Sequence, residues 1–425
     1  MPEGEASIEV VTFGCRLNIV ESEAMRSAAR AAGERDLVII NSCAVTAGAT
    51  RDAGRAVRRI ARERPGAFIA VTGCAAQTEP QRFLAMPSVD RVIANDAKTL
   101  PETWAHLRYS DSVWIDAPPG GHRRRRAETP EGFEGHTRSF LQIQNGCDHS
   151  CTFCIIPRGR GPSRSSLPDA IIADARRAVA HGAAEIVLTG VDLTSWGHDL
   201  PGGLRLGGLV QALLDAVPDL ARLRLSSLDC IEIDDDLLEA MAHEPRLMPH
   251  VHLSLQAGDD LILKRMKRRH SRAQAIELCA RLRALRPDMA LSADLIAGFP
   301  TESEAMFQNT LALVEDCGLA SLHVFPFSPR PGTPAALMPA VHPEEVRERA
   351  RRLRVAGDAA AARHRQARIG TKTLLLMERG GVGRMPDFTK VQLAGQQPGA
   401  LVPALVTHEA DGLLHGQCAD VHGRP

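Results

Sequence analysis

Six of the ten cysteines fall into two groups of three whose spacing suits metal or cluster chemistry. Cys147, Cys151 and Cys154 form a CxxxCxxC motif in NGCDHSCTFCIIPRGRG. Structural zinc sites take four ligands, usually from paired CxxC-like units, and here the local count stops at three. Three thiolates suit a four-iron cluster, each holding one corner while the fourth iron stays open to a substrate or cofactor. His149 would supply a fourth ligand, so spacing alone keeps zinc as an alternative. The second group, Cys15, Cys43 and Cys74, is dispersed, but each member closely follows a short apolar run: IEVVTF (8–13), DLVIIN (36–41) and AFIAVT (67–72). In an open parallel sheet the carboxyl ends of the strands share one edge, where ligands bind, so the three thiols converge there. Buried free cysteines are common in cores, but that alternative leaves the shared phase unexplained. Cys230, Cys279, Cys317 and Cys418 lack grouped spacing and read as structural thiols. Of these, Cys230 at the end of LSSLDC follows a predicted strand end, within reach of a cofactor.

The chain around these cysteines has 425 residues, with 51 Lys and Arg against 51 Asp and Glu. At ~150 residues per domain its length suggests about three domains. Hydrophobic residues make up 44% and charged residues 24%, which excludes collagen-like, low-complexity and wholly disordered chains. A chain of this size buries a large core and needs no disulfides to stay folded. The N-terminal MPEGEASIEV has no basic segment leading into an apolar one, and no run of 18 apolar residues occurs. The expected location is the cytoplasm, where thiols stay reduced and cysteine spacing points to metal or cluster sites. Zero net charge means that any nucleic-acid role must rest on local patches. One Tyr, three Trp and eleven Phe leave few positions for base stacking.

The pattern predicts an α/β chain in three parts. Residues 1–118 alternate short β-branched runs with the helical stretches 21–33 and 51–66, ending at Gly33 and Pro65-Gly66, as in a doubly wound parallel-sheet domain. Residues 119–137, rich in Gly, Pro and charge, read as a linker. From 138 to 369 six strand candidates (139–144, 185–190, 222–227, 250–255, 290–298 and 321–327) alternate with amphipathic helices such as 167–182. They predict a partial (β/α)6 barrel with its site at the C-terminal rim, followed by a basic helix over 343–369 with eight Arg against four acids. Residues 370–425 read as a small C-terminal β-barrel.

The CxxxCxxC motif, with Phe153 before its last cysteine and at the end of the first strand of a partial barrel, resembles the radical S-adenosylmethionine superfamily. With the upstream three-cysteine domain and a C-terminal barrel of the TRAM type, the chain resembles the methylthiotransferases over essentially its whole length. TFGCRLNIVESE (12–23), NSCAVT (41–46), TGCAAQ (72–77), CTFCIIPRGRGPSRS (151–165), HLSLQAGDDLILKRMKRRH (252–270), DLIAGFPTE (294–302) and FPFSPRPGTPA (325–335) are most similar to members acting on threonylcarbamoyladenosine in transfer RNA. Relatives acting on isopentenyladenosine or on a ribosomal-protein aspartate stand as alternative readings. A zinc-containing RNA-binding module is a remoter one.

The resemblance implies two [4Fe-4S] clusters. One, at Cys147, Cys151 and Cys154, binds S-adenosylmethionine, which yields a 5′-deoxyadenosyl radical on one-electron cleavage. The other, at Cys15, Cys43 and Cys74, carries the sulfur to be inserted, and the product is the 2-methylthio derivative at position 37. An electron donor (a reductase or flavodoxin) and a sulfur source are implied partners. Thr189, Gly190 and Asp192 occupy the position where the superfamily holds the methionyl amino group, although the usual Gly-Gly-Glu form is absent. Ser227, Gln256 and Asp294, at predicted ends of later strands, are placed to reach ribose or carboxylate. Phe153 is placed to pack on adenine, and Gly298 to allow close backbone approach or make the turn into Pro300. Four basic clusters are candidate phosphate contacts: Arg51, Arg55, Arg58, Arg59, Arg62 and Arg64; Arg123 to Arg126; Lys264 to Arg272; and Arg347 to Arg368. The last domain departs from a basic RNA clamp, with five basic and five acidic residues.

Overall fold

The computed structural model describes residues 8–109, 113–116 and 137–419. Residues 119–136 of the expected linker, with Arg123 to Arg126, lie outside the described residues. By internal contacts the chain forms two compact units. The first comprises 1–130 with 142–166 and 328–336, the second 131–141, 167–327 and 337–425. Both cysteine trios belong to the first unit.

The first unit is built on β1 (Ile8–Thr12), α1 (Arg16–Ala31), β2 (Leu37–Ser42), α2 (Ala47–Glu63), β3 (Phe68–Gly73), α3 (Cys74–Thr78), α4 (Pro80–Leu84), β4 (Arg91–Ile93), α5 (Pro101–Ala105) and β5 (Trp114–Ile115). The five strands are parallel in the order β1-β2-β3-β4-β5. Helices cover both faces, because alternate strand residues feed two apolar clusters. Val38, Ile40, Ile69 and Val71 pack with Val57, Ile60 and Phe83, while Leu37, Ile39, Ala70 and Ile93 pack with Met25, Trp104 and Leu107. This is the layering expected of the N-terminal domain. Its strand order is sequential, which sets the loops after β1, β2 and β3 side by side. The unit also holds β7 (Gln144–Asn145), α6 (Ile156–Arg160) and β8 (Arg164–Ser165), which follow β6 (Ser139–Gln142) in the chain.

The second unit carries the barrel elements: α7 (Pro168–Ala180), β9 (Glu185–Thr189), α8 (Leu206–Ala216), β10 (Arg222–Leu225), β11 (Ser227–Leu228), α9 (Asp235–His243), β12 (His250–Gln256), α10 (Asp260–Arg265), α11 (Arg272–Leu285), β13 (Ala290–Ala297), α12 (Glu304–Asp316), β14 (Ser321–Pro326) and α13 (Pro343–Gln366). The strands form two sheets, β10-β9-β6 and β11-β12-β13-β14, with β9 and β10 and all neighbours of the second sheet pairing in parallel. The expected strand at 222–227 is divided at Ser226, which separates the sheets. In β12, β13 and β14 one face is apolar (Val251, Leu253, Leu291, Ala293, Leu295), and the other carries His252, Ser292, Asp294 and His323, paired across the strands. The polar face is what the inside of a partial barrel requires.

The remaining strands, β15 (Lys372–Met377), β16 (Val382–Arg384), β17 (Lys390–Gln392), β18 (Leu401–Ala410) and β19 (Leu413–Cys418), close a small barrel around Leu375, Met377, Val391, Val406 and Leu414. Phe388 reaches from it to the amino ends of β9 and β10. There its ring receives the guanidinium groups of Arg384, Arg224 and Arg138 at 4.3, 4.7 and 5.0 Å. Arg224 and Arg138 also pair with the buried Glu185, at 2.9 and 3.0 Å. The C-terminal barrel therefore closes the end of the strands opposite their carboxyl rim. No helix among the described residues is long and apolar enough to cross a membrane.

Candidate metal centres

Cys15 immediately precedes α1, Cys43 lies in the loop between β2 and α2, and Cys74 is the first residue of α3. Because β1, β2 and β3 are neighbours, the three loops lie along one sheet edge. Gly14 has φ +99°, and a Cβ there would lie 2.8 Å from Cys43 Sγ, so the backbone of one cysteine loop rests on the sulfur of the next. The buried Asn18 ties the loops together, its Nδ2 donating to Phe13 O at 2.7 Å and Ser42 O at 3.2 Å. Its Oδ1 lies 3.8 Å from Cys15 Sγ, and Asn95 Nδ2 lies 3.8 Å from Cys74 Sγ. Cys43 and Cys74 are buried, and Cys15 is exposed. Burial pushes the Cys43 thiol up to about 11.

The second trio sits in a loop held by its own backbone and by the segment 328–336. Cys147 N–H donates to Gly161 O at 3.1 Å and Cys154 N–H to Cys151 O at 3.1 Å. Two backbone N–H groups already point at sulfur: His149 to Cys147 Sγ and Ile156 to Cys154 Sγ, both at 3.4 Å. Ala335 N–H donates to Thr152 O at 2.9 Å and Arg158 to Pro331 O at 3.0 Å, while Arg330 donates to Thr50 at 3.2 Å and to Glu79. The 328–336 segment thus fastens the CxxxCxxC loop to α2 and to the end of α3.

A buried polar group joins the two trios from below. Arg160, at the end of α6, donates to Glu21 Oε1 at 2.7 Å, Glu21 Oε2 at 3.1 Å and Asn18 Oδ1 at 2.6 Å, and Lys98 donates to Glu21 Oε2 at 2.7 Å. Burial opposes the Glu21 charge, but Arg160 and Lys98 overcome it and hold the carboxyl at about 2. Burial likewise works against the Arg160 cation. Its neighbours Cys74 and Glu21 outweigh this and raise it above the ordinary arginine value. None of Arg160, Glu21, Lys98, Asn18 and Asn95 was singled out in the sequence. Asn18 and Glu21 do lie in TFGCRLNIVESE and Arg160 in CTFCIIPRGRGPSRS, two of the segments that carry the family resemblance, while Lys98 and Asn95 lie in none of them.

The sequence model of the Radical SAM superfamily matches residues 141–314, and one described as the uncharacterized protein family UPF0004 matches residues 7–94. The chain is similar to the threonylcarbamoyladenosine tRNA methylthiotransferase MtaB of Rickettsia prowazekii, with 45% identity over 91% of each chain. It belongs to the radical S-adenosylmethionine methylthiotransferases. It is also similar to the MtaB of Thermotoga maritima, 35% identical over 88% of this chain and 86% of that one. With the tRNA-2-methylthio-N6-dimethylallyladenosine synthase of Cereibacter sphaeroides it shares 35% identity over 96% and 97%. Among solved structures, the radical S-adenosylmethionine methyltransferase TsrM of Kitasatospora setae shares the fold, with a TM-score of 0.56, 14% identity, and coverage of 74% of this chain and 68% of that one.

The donor sets of this methylthiotransferase fit iron–sulfur clusters. Each site offers three soft thiols, and in the second trio backbone N–H groups already face two of the sulfurs. Phe153 is half-buried within the CxxxCxxC loop of the first unit. The other cofactor candidates lie in the second unit. Thr189 ends β9, Gly190 follows it, and Asp192 opens a tight turn in which its carbonyl accepts Ser195 Oγ–H at 2.9 Å. Ser227 is exposed in β11. Gln256 ends β12 with φ +69°, a costly conformation for a non-glycine residue and one typical of functional rims. Asp294 sits in the middle of β13, not at its end as expected, and accepts hydrogen bonds from His252 at 3.0 Å and His323 at 3.2 Å. Burial opposes its charge, yet the two histidines hold it at about 2. Gly298 has φ +72°, its N–H donates to Glu302 Oε2 at 2.9 Å, and a Cβ there would meet Val346 of α13 at 2.5 Å. Its immediate requirement is therefore the packing of α13.

Of the four isolated cysteines, Cys279 and Cys317 are buried and hydrogen-bonded to each other, and Cys230 is buried, its thiol pushed up to about 12 by burial. Cys418 is exposed and accepts from Gln396 at 3.4 Å.

Proposed function

We propose that the methylthiotransferase converts N6-threonylcarbamoyladenosine at position 37 of transfer RNA into its 2-methylthio derivative. The observation that carries the reading is the presence of two three-cysteine sites in one compact unit, tied together by the 328–336 segment and by Arg160. The substrate assignment draws support from the 45% identity to the Rickettsia prowazekii enzyme of that name. Cys147, Cys151 and Cys154 would hold one [4Fe-4S] cluster and Cys15, Cys43 and Cys74 the other, which with S-adenosylmethionine supply the electron transfer, radical, methyl and sulfur chemistry when bound. The protein's own residues link the two trios through Arg160 and the 328–336 segment, and bury Cys43 and Cys74. Residues 1–118 would form the sulfur-carrying domain, 138–369 the radical domain and 370–425 a TRAM-like barrel. Thr189, Gly190, Asp192, Ser227, Gln256 and the Asp294–His252–His323 group are the proposed contacts to S-adenosylmethionine and substrate in the second unit. A reductase or flavodoxin would supply electrons, a separate source the sulfur, and the cytoplasm the setting.

The phosphate-binding face we assign is on α2, where Arg51, Arg58, Arg59 and Arg62 are exposed without an ion pair among the described residues. In the other described clusters most arginines are engaged by acids, although Lys264 and Lys267 are also exposed. Arg268, Arg269 and Arg272 pair with Asp229, Glu232 and Asp316, and on α13 Arg349, Arg351, Arg352, Arg363 and Arg365, with Arg368 just after it, pair with acids.

The 35% identity to a dimethylallyladenosine synthase makes that nucleoside the second substrate to test. The experiment is mass spectrometry of transfer-RNA nucleosides from a host lacking its own threonylcarbamoyladenosine methylthiotransferase and supplied with this chain. Appearance of 2-methylthio-threonylcarbamoyladenosine supports the reading. A methylthio group on dimethylallyladenosine alone, or on neither nucleoside, contradicts the substrate assignment.

A further inference from the structure

Arg160, Lys98 and Glu21 are 5%, 1% and 2% exposed, and two cations against one carboxylate leave this group with one excess positive charge. A buried excess of charge is sustained only where an opposite charge completes it. The neighbouring Arg164 and Asp96 pair with each other at 3.6 Å, and both side chains are partly in solvent. The excess faces the first cysteine trio. Asn18 Oδ1 accepts from Arg160 Nη2 at 2.6 Å and lies 3.8 Å from Cys15 Sγ. The residue before Arg160 packs on the next cysteine, since a Cβ on Gly159 would lie 3.5 Å from Cys74 Cβ. Asn95 Nδ2 donates to Gly159 O and lies 3.8 Å from Cys74 Sγ. Arg160 itself is delivered by α6, directly after Cys154.

We propose that Arg160, Lys98 and Glu21 form the buried counter-charge of the cluster held by Cys15, Cys43 and Cys74, biasing that cluster toward its more negative states. This rests on the reading of those cysteines as cluster ligands. Three thiolates on an oxidised four-iron cluster give a formal charge of about −1, and one-electron reduction takes it to about −2, so a fixed neighbouring cation favours the reduced state. Because the cation is carried by the loop of the other trio, one side chain both spaces the two sites and sets the electrostatics of one of them. Arg160 is a positioning residue with an electrostatic role; it ligates nothing.

The test uses the full-length chain with Cys147→Ala, Cys151→Ala and Cys154→Ala together, which isolates the remaining site. The reconstituted protein is titrated with dithionite against redox mediators, and the reduced cluster is followed by electron paramagnetic resonance. Added Arg160→Met should shift the midpoint to more negative potential, Glu21→Gln should shift it the other way, and Arg160→Lys should stay near the parent. Unchanged midpoints, or shifts of the same sign in Arg160→Met and Glu21→Gln, overturn the counter-charge. Should Arg160→Met lose its iron, the sign of the Glu21→Gln shift decides: a positive shift supports the proposal and any other result overturns it. A parent that binds no iron overturns instead the assignment of Cys15, Cys43 and Cys74 as ligands, and the proposal with it.

Discussion

Glu302 closes the DLIAGFPTE stretch with a carboxylate 4% exposed, accepting Gly298 N–H at 2.9 Å and Arg349 Nη1 at 3.1 Å. Burial pushes its carboxyl up to about 7 despite Arg349. A carboxyl whose folded value lies above its unfolded one binds more protons in the folded state, so stability falls as pH rises through the window between the two. Between pH ~4.5 and ~7 the loss from this group is on the order of 3 kcal/mol. Glu302→Gln should flatten that part of the stability-versus-pH curve, measured by denaturant unfolding of the same protein at pH 5 and pH 8. An unchanged slope would show that Glu302 is already ionised when folded. At this scale the six cysteines were legible because their types and their positions after apolar runs were both local facts. The Arg160–Glu21–Lys98 group was not, because its members are separated by 139 and 77 positions and a buried ion pair leaves no periodic trace.

Elements decide whether the cysteines meet. The runs 36–41 and 67–72 were readable as buried parallel strands because they are short, apolar and rich in β-branched residues, whereas 8–13 pairs in parallel at the sheet edge with only Ile8 buried. Helix α1 begins at Arg16, five residues before the expected start, because Cys15 at its N-cap makes no side-chain hydrogen bond and gives no capping signal. The division of 222–227 at Ser226 and the placement of Asp294 in mid-strand were likewise hidden, since neither breaks the apolar pattern. Gly14 tests this level directly. Gly14→Ala would place a methyl group 2.8 Å from Cys43 Sγ at φ +99°. The variant should lose most of the iron of the first site while keeping that of the second. Iron content equal to that of the unsubstituted chain would mean that the loop tolerates the methyl group.

Over the whole molecule, zero net charge conceals a local asymmetry. Most arginines of α13 and of the 264–272 stretch are engaged with acids, whereas Arg51, Arg58, Arg59 and Arg62 of α2 face solvent. Replacing Arg51, Arg58, Arg59 and Arg62 with Ala should weaken transfer-RNA binding across sequences. It should also reduce the slope of log K against log salt by up to about 3.6, at ~0.7 to 0.9 per phosphate contact. An unchanged slope would move the RNA contact to another face. The three-part α/β organisation was visible in the alternation of runs. The grouping of 142–166 and 328–336 with the N-terminal sheet was not, because it depends on contacts such as Arg330 to Thr50 and Arg160 to Glu21, between residues 280 and 139 positions apart. That grouping is what places two three-thiolate sites in one body. The most direct test of it is the iron and sulfide content of the anaerobically reconstituted full-length protein, alone and with each trio replaced by alanine. The expected result is about eight irons per chain for the unsubstituted protein and about four for either variant, since on the proposed reading each trio would hold one four-iron cluster. Four irons in the unsubstituted chain, lost entirely with one trio and untouched by removal of the other, would contradict it.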